Sequence, residues 1–318
     1  MTEIADAAQT ILERVRTVVI GMDDPLEIAL GALLAGGHVL FEDVPGLGKT
    51  LAARSLAAAI GLDFRRIQCT PDMLPGDVTG SFVFEPGTGE FAFREGPIFT
   101  GLLLADEINR TTPKTQSALL EAMAERQVTV EGRRFPLAEP FHVIATSNAI
   151  EYEGTYALPE AQLDRFMVRL GVGYPTADHE ADILFGRIAR RADAAHVDAV
   201  VDAAQFRDLQ RRVEALHVDD DIVRYCVALA RATRDDADVA VGASPRGSQA
   251  LLLLARSLAA MAGRDYVRPD DVKRVAVPVL AHRLTLTTQA WAAGTSPASI
   301  VARVLPRVPV PPTAESSR

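Results

Sequence analysis

Apolar residues recur along the chain with two different periods, and the change between them organises it. Ile4, Ala8, Ile11, Leu12, Val15 and Val19 fall at helical spacing and predict a helix over the opening twenty residues. A second apolar helix over about 25–35 leads into a short buried strand at 38–41. Gly46–Gly48 then turns the chain into an alanine- and leucine-rich helix over about 49–60, and 64–69 reads as the next strand. Strand, glycine turn, helix, strand is the opening of a parallel α/β layer. Two hairpins interrupt it: 81–85 and 90–94 flank Pro86-Gly87-Thr88-Gly89, and 128–130 and 134–137 flank Glu131-Gly132. Between them, 102–105 is an unbroken apolar run, as expected of a strand covered on both faces. Thr112-Pro113 reads as N-cap and first residue of a helix to about 126, and 141–147 is a further buried strand.

Beyond Pro175 the period-two pattern fades, and helical segments follow at about 178–191, 203–216, 219–234, 245–262 and 269–282. The expected organisation is an α/β unit over 1–175, a helical unit over 176–308, and a proline-rich, then polar, disordered tail over 309–318. The length of 318 residues fits two domains of ~150 residues each. The net charge of −9 argues against non-specific binding to nucleic acid or anionic membrane, which needs a positive field. No stretch approaches the ~18–20 apolar residues of a membrane span, and the acidic N-terminus does not resemble a secretory leader. Cys69 and Cys226 lie far apart, which excludes a disulfide framework or zinc spacing, so the expected location is the cytoplasm.

Only three of the 33 basic residues are lysines: Lys49, Lys114 and Lys273. Lys114 and Lys273 read as solvated helix-face residues. Lys49 ends the glycine-rich turn Asp43-Val-Pro45-Gly46-Leu47-Gly48-Lys49-Thr50-Leu51, between a strand and a helix. Such a loop aims backbone N–H groups at phosphate oxygens, and the helix dipole reinforces them. Lys49 then reaches the β- and γ-phosphates, and the Thr50 hydroxyl binds Mg²⁺. Asp43 stands where the strict pattern has glycine. The run 102–105 ends in Asp106-Glu107, a strand delivering two carboxylates to its C-terminal edge: Asp106 for Mg²⁺, Glu107 for polarising an attacking water. Loop and acidic strand together predict a nucleoside triphosphatase.

With Asn148 at the end of the strand at 141–147, with Leu158-Pro-Glu-Ala-Gln-Leu-Asp-Arg165-Phe, and with Gly242-Ala-Ser-Pro-Arg246, the sequence resembles the MoxR family of AAA+ ATPases. That family belongs to the group with a hairpin inserted in the second helix. The resemblance runs from about Ile20-Gly21 to Val310. It implies a five-stranded parallel sheet between helices followed by a helical lid. It also implies an adenine pocket at Val19, Ile20 and Gly21, Asn148 as sensor 1, Arg165 as an arginine finger for the neighbouring subunit, and Arg246 as sensor 2. For Arg165 the plainer alternative is a surface ion pair with Glu160 or Asp164; for Arg246 it is packing alone. Departures from the family are Met22 after Gly21, Ala149 and Ala157 at usual proline positions, and Gly247 at a usual alanine.

The implied activity is Mg²⁺-dependent ATP hydrolysis by a homo-oligomeric ring, typically of six subunits. The implied role is chaperone-like maturation of protein complexes, often with a partner bearing a von Willebrand factor A domain. A nucleic-acid motor, a nucleotide-switched scaffold with little turnover, and a chelatase-type motor subunit remain as alternatives. Phe82, Phe84, Phe91 and Phe93 share hairpin faces at i, i+2, either as a contact surface or packed on their own domain. The second hairpin, with Arg133-Arg134, carries the same two readings, a pore lining or packing on its own domain.

Overall fold

The computed structural model describes residues 2–148, 155–191 and 196–311. Ala149, the Glu153-Gly154 part of the family motif, and the tail from 312 onward lie outside the described residues. The amphipathic α1 (Thr2–Arg16) buries the stripe Ile4, Ala8, Ile11, Leu12 and Val15. α2 (Asp23–Leu34) is buried almost all round from Leu26 onward, because it lies between the sheet and the helical half of the chain. There follow β1 (Val39–Glu42), α3 (Lys49–Ala59) and β2 (Phe64–Gln68). The short α4 (Pro75–Thr79) carries the first hairpin, β3 (Gly80–Glu85) and β4 (Glu90–Glu95). β5 (Leu102–Asp106), α5 (Pro113–Glu125) and the second hairpin, β6 (Gln127–Val130) with β7 (Arg133–Pro136), come next. β8 (His142–Ser147), α6 (Glu160–Leu163) and β9 (Val168–Leu170) complete this half.

The main sheet is five-stranded and parallel, in the order β2-β5-β8-β1-β9. Strand alternation divides the core between its faces. Leu102, Leu104, Ile144, Val39 and Phe41 face one cluster, shared with α1–α3 and the C-terminal helices. Leu103, Ala105, Val143, Ala145 and Leu40 face another, under α5 and the hairpins. β9 escapes the hydrophobic pattern: it is three residues long, and its middle residue, Arg169, turns out to pair with Glu42 at 3.0 Å.

The hairpin phenylalanines divide between the two readings. Phe82 faces Phe93 across the first hairpin, and Phe93 stacks on Phe135 of the second at 3.9 Å between ring centroids, joining the hairpins. Phe84 and Phe91 face each other nearer the tip and stay exposed.

The C-terminal half comprises α7 (Ala177–Arg190), α8 (Ala203–Glu214), α9 (Asp220–Ala232), β10 (Val239–Val241), α10 (Pro245–Met261), α11 (Pro269–Leu280), β11 (Thr285–Leu286), α12 (Thr288–Ala292) and α13 (Pro297–Val304). The small antiparallel pair β10–β11 and the last two helices are additions to the sequence expectation. Buried α10 packs against α9, α11, α1 and α2, which seats the bundle on one face of the α/β layer. α7 stands apart, burying none of its 14 residues. Among the described residues no helix is long and apolar enough to cross a membrane.

Candidate functional site

A parallel sheet delivers every strand's C-terminal end to one edge, and four strand ends build the first site. After β1 the chain turns through Gly46 and Gly48, at φ +85° and +84°, directly into α3. A Cβ at either glycine would meet nothing within 4 Å, so conformation rather than space demands glycine there. Lys49 is buried, and its Nζ donates to the carbonyls of Asp43 (2.6 Å) and Val44 (3.0 Å) and to Oδ1 of Asn148 (3.4 Å). Burial lowers the Lys49 pKa, partly offset by the charges of Asp43, Asp106, Glu107 and Glu42.

Asp43, the departure from the glycine pattern, clamps the loop's entrance. Its Oδ1 accepts the Val44 N–H at 2.7 Å, and its Oδ2 accepts those of Val172 (2.7 Å) and Gly173 (2.6 Å) after β9. Burial alone would raise its pKa, but these N–H groups and Lys49 hold it below the ordinary carboxylate value.

Asp106 and Glu107 are brought to the same edge. The Thr50 hydroxyl donates to Asp106 Oδ2 at 3.0 Å, and Thr146 donates to Oδ1 at 2.6 Å. Glu107 sits at φ +57°, a region that strains a non-glycine residue, with its N–H on Thr146 Oγ1 at 2.8 Å. Its carboxylate takes hydrogen bonds from Gln68 (2.9 Å), Arg110 (3.0 Å) and Asn148 (3.4 Å). All these groups except Arg110 line one cavity of about 280 Å³. Among the described residues no three His, Cys, Asp or Glu side chains gather as a metal cluster. The Thr50 hydroxyl and Asp106 carboxylate are instead a pair of hard oxygens, which suits Mg²⁺ completed by substrate phosphates and water.

Beside it lies an apolar cavity of about 490 Å³ that brings Val19, Ile20 and Gly21 together with Pro45–Gly48, Leu51 and the chain at Val172–Pro175. Its lining is mostly apolar, with Ile183 and Leu184 of α7 beside Glu180 and Arg190. Gly21, at φ +79°, passes so close to α7 that a Cβ would come within 2.9 Å of the His179 ring.

Arg165 and Arg246 are elsewhere. They meet in a third cavity, of about 350 Å³, lined also by Gly36–His38, Arg126, Asp164 and Arg283. Gly36–His38 precede β1 and Asp164–Met167 precede β9, so this cavity lies at the N-terminal edge of the strands, opposite the glycine loop. A four-residue strand alone separates the two edges by roughly 13 Å. Asp164 is engaged by Arg283 Nε on Oδ1 (2.7 Å) and by the Ser244 hydroxyl on Oδ2 (3.0 Å). The alternative partner, Glu160, has a side chain outside the described set. Among the described residues, buried Arg165 Nε has no hydrogen-bond partner. Ser244 accepts the Arg246 N–H at 3.1 Å as cap of α10. Gly247 lets that first turn close in: a Cβ there would come within 3.3 Å of Arg283.

Sequence reasoning missed Arg66, Gln68, Thr146 and Arg126. Arg66 meets Asp106 Oδ2 through both Nε (3.0 Å) and a terminal nitrogen (2.7 Å). Polar residues at i, i+2, on one face of the strand, were the available signal. Lys114 is exposed, and Lys273 pairs with Asp270 at 3.2 Å, as solvated residues do. Burial pushes both cysteine thiols up to about 12, which removes them as nucleophiles.

A family model for the ATPase family associated with various cellular activities (AAA) matches residues 38–168, and one for the AAA lid domain matches 231–304. The chain is 48% identical over 300 residues to YeaC of Bacillus subtilis, spanning 94% of this chain and 93% of that one. It is 42% identical over 318 residues to Chaperone MoxR1 of Mycobacterium tuberculosis, spanning 97% of this chain and 83% of MoxR1. The crystal structure of a Cytophaga hutchinsonii protein superposes with a TM-score of 0.90 at 35% identity, over 98% of this chain and 97% of that one.

Proposed function

The chain belongs to the MoxR family of AAA+ ATPases, and from that premise we propose that it hydrolyses ATP as a cytoplasmic ring, typically of six copies, to remodel protein clients as a chaperone. The division of labour follows the sequence units 1–175 and 176–308, nucleotide handling in the first and the lid in the second. The adenine lies in the cavity at Val19–Gly21, and the triphosphate lies along the loop from Pro45 to Leu51. Lys49 neutralises the β- and γ-phosphates. Mg²⁺, held by Thr50 and Asp106, offsets charge on the phosphate oxygens when bound. Glu107 accepts the proton of the attacking water, and Asn148 holds that water and the γ-phosphate in line. ATP and water become ADP and phosphate.

The observation that carries this reading is the separation of the two polar sites on opposite edges of one sheet. Arg165 and Arg246 stand across the sheet from their own loop, so they serve a phosphate presented by another copy. A ring supplies that arrangement at every interface, because each interface joins one copy's first edge to the next copy's second. Such an arginine contributes ~10³–10⁵ in rate. The name of the mycobacterial relative supports a chaperone role. The resemblance to the family supports a von Willebrand factor A domain protein as the partner that presents the client.

The test is specific ATPase activity against protein concentration with Mg²⁺ present, alongside sedimentation velocity with ATP. Activity per chain is expected to climb with concentration as rings form, and Arg165→Ala is expected to abolish the climb. Flat activity from a chain that sediments as a monomer with ATP would overturn the reading.

A further inference from the structure

The cavity that holds Arg165 and Arg246 contains a third arginine with no structural employment of comparable weight. Arg126 ends α5 in the left-handed conformation, at φ +52°, where helices ordinarily place glycine or asparagine. Its backbone is fixed on both sides, by its N–H on the Ala122 carbonyl (2.9 Å) and by the Leu137 N–H on its own carbonyl (3.0 Å). Among the described residues its exposed guanidinium makes one hydrogen bond, to the Gly36 carbonyl at 3.3 Å. Among the described residues no carboxylate pairs with Arg126, Arg165 or Arg246, and the cavity's one acid, Asp164, is taken by Arg283. Arg283 is itself opposed by the charge of Arg246. His38 adds no charge, since burial, His142 and Arg126 push its pKa down to about 3.

Three uncompensated guanidinium groups facing one cavity repel one another, and such an arrangement suits an incoming polyanion that all three can engage. We propose that Arg126 is a third arginine acting in trans, donating to the terminal phosphate of the nucleotide held by the adjacent copy. This rests on the ring reading above and extends it: the backbone at 126 accepts an unfavourable residue because the guanidinium is needed at that edge. The developing charge spreads over three phosphate oxygens, so a third donor has an oxygen to meet.

The discriminating variant is Arg126→Gly, which suits the backbone better than arginine. Its melting temperature is expected at or above that of the unaltered chain, while turnover falls by about 10²-fold, the scale of one lost transition-state donor. Arg126→Gln, which keeps the side chain's length, is expected to lose turnover similarly. Each is then mixed in equal amount with Glu107→Gln chains, which lack the base but keep every arginine. In random rings about half the Arg126→Gly copies face an intact arginine edge, so ATPase activity in the mixture should rise well above that of either protein alone. Arg165→Ala mixed with Glu107→Gln runs alongside. If that mixture recovers and the Arg126 mixtures do not, the role of Arg126 in trans is refuted and the ring stands. If neither recovers and the unaltered chain sediments as a monomer with ATP, the ring fails and this inference with it.

Discussion

The Asp164–Arg283 pair offers the sharpest test of how the arginine cavity is held. Arg283 is buried: only 3% of its side chain is accessible, against 17% for Asp164. Besides Asp164 Oδ1, its guanidinium donates to the carbonyls of Phe166 (2.7 Å), Met167 (3.2 Å) and Val279. Asp164→Ala leaves that cation among carbonyl dipoles without its counter-charge and leaves the Ser244 hydroxyl without an acceptor. Removing one partner of a buried pair costs about 3–5 kcal/mol. Melting entropy of about 2.1 cal/mol/K per residue sums to about 0.7 kcal/mol/K for 318 residues, so the expected loss is roughly 4–7 °C in Tm. Asp164→Asn is the control. Its Oδ1 can still accept from Arg283 and its Nδ2 can donate to Ser244, so only the charge is lost and a smaller drop follows. Replacing both partners, Asp164→Leu with Arg283→Met, should recover part of the loss, because no charge then stays buried alone. Calorimetric melts of the four proteins decide it. A shift below about 1 °C for Asp164→Ala would mean that water already compensates Arg283, and the buried-pair argument would be wrong.

Glu107→Gln should lower turnover by about 10²–10⁴-fold while ATP binding, followed by a fluorescent analogue, stays intact; lost binding would instead make Glu107 a structural prop of the loop. Phe93→Ala should cost about 2–4 kcal/mol in urea unfolding because its ring stacks on Phe135, whereas Phe91→Ala at the exposed tip should stay within about 0.5 kcal/mol. Equal costs would contradict the division of the four phenylalanines between packing and surface. His38 and His142 are held neutral, chiefly by burial, with pKa values pushed down to about 3 and about 4 from 6.5. The unfolded chain takes up those protons first, so stability is full above pH 6.5 and falls as pH drops toward 4. At pH 5 the two together remove about 4 kcal/mol, at about 1.4 kcal/mol per unit per group. Urea midpoints at pH 7 and pH 5 read this directly, and His142→Gln should flatten the dependence.

Much of the first site was legible because a parallel sheet turns sequence order into proximity. Lys49, Thr50, Asp106, Glu107 and Asn148 each follow a buried apolar run, and strand ends of one direction share one edge. What was not legible needed partners from elsewhere in the chain. Gln68 meets Glu107 only because β2 pairs with β5 in the register that sets Gln68 opposite Asp106, and Arg66 reaches Asp106 from the same strand. The two phenylalanine pairs look alike in sequence, and Phe135, from another hairpin, distinguishes them. Arg126 reads as one more helix-end arginine until the cavity collects it with Arg165 and Arg246.

β9, the strand that the hydrophobic pattern could not find, is the piece that ties the two edges together. At its start, Asp164–Met167 hold the arginine cavity through Arg283 and Ser244. At its end, the Val172 and Gly173 N–H groups are gripped by Asp43 at the mouth of the glycine loop. Only four residues, Val168 to Gly171, separate these two attachments, and the first three pair along β1. A short, paired strand therefore connects the loop to the segment that carries Arg165. The aspartate that spoils the glycine pattern is what makes the connection: glycine at position 43 would leave the Val172 and Gly173 N–H groups without their acceptor. In the proposed ring, the departure from the motif would be the link between one copy's phosphate loop and the arginine it offers to the next.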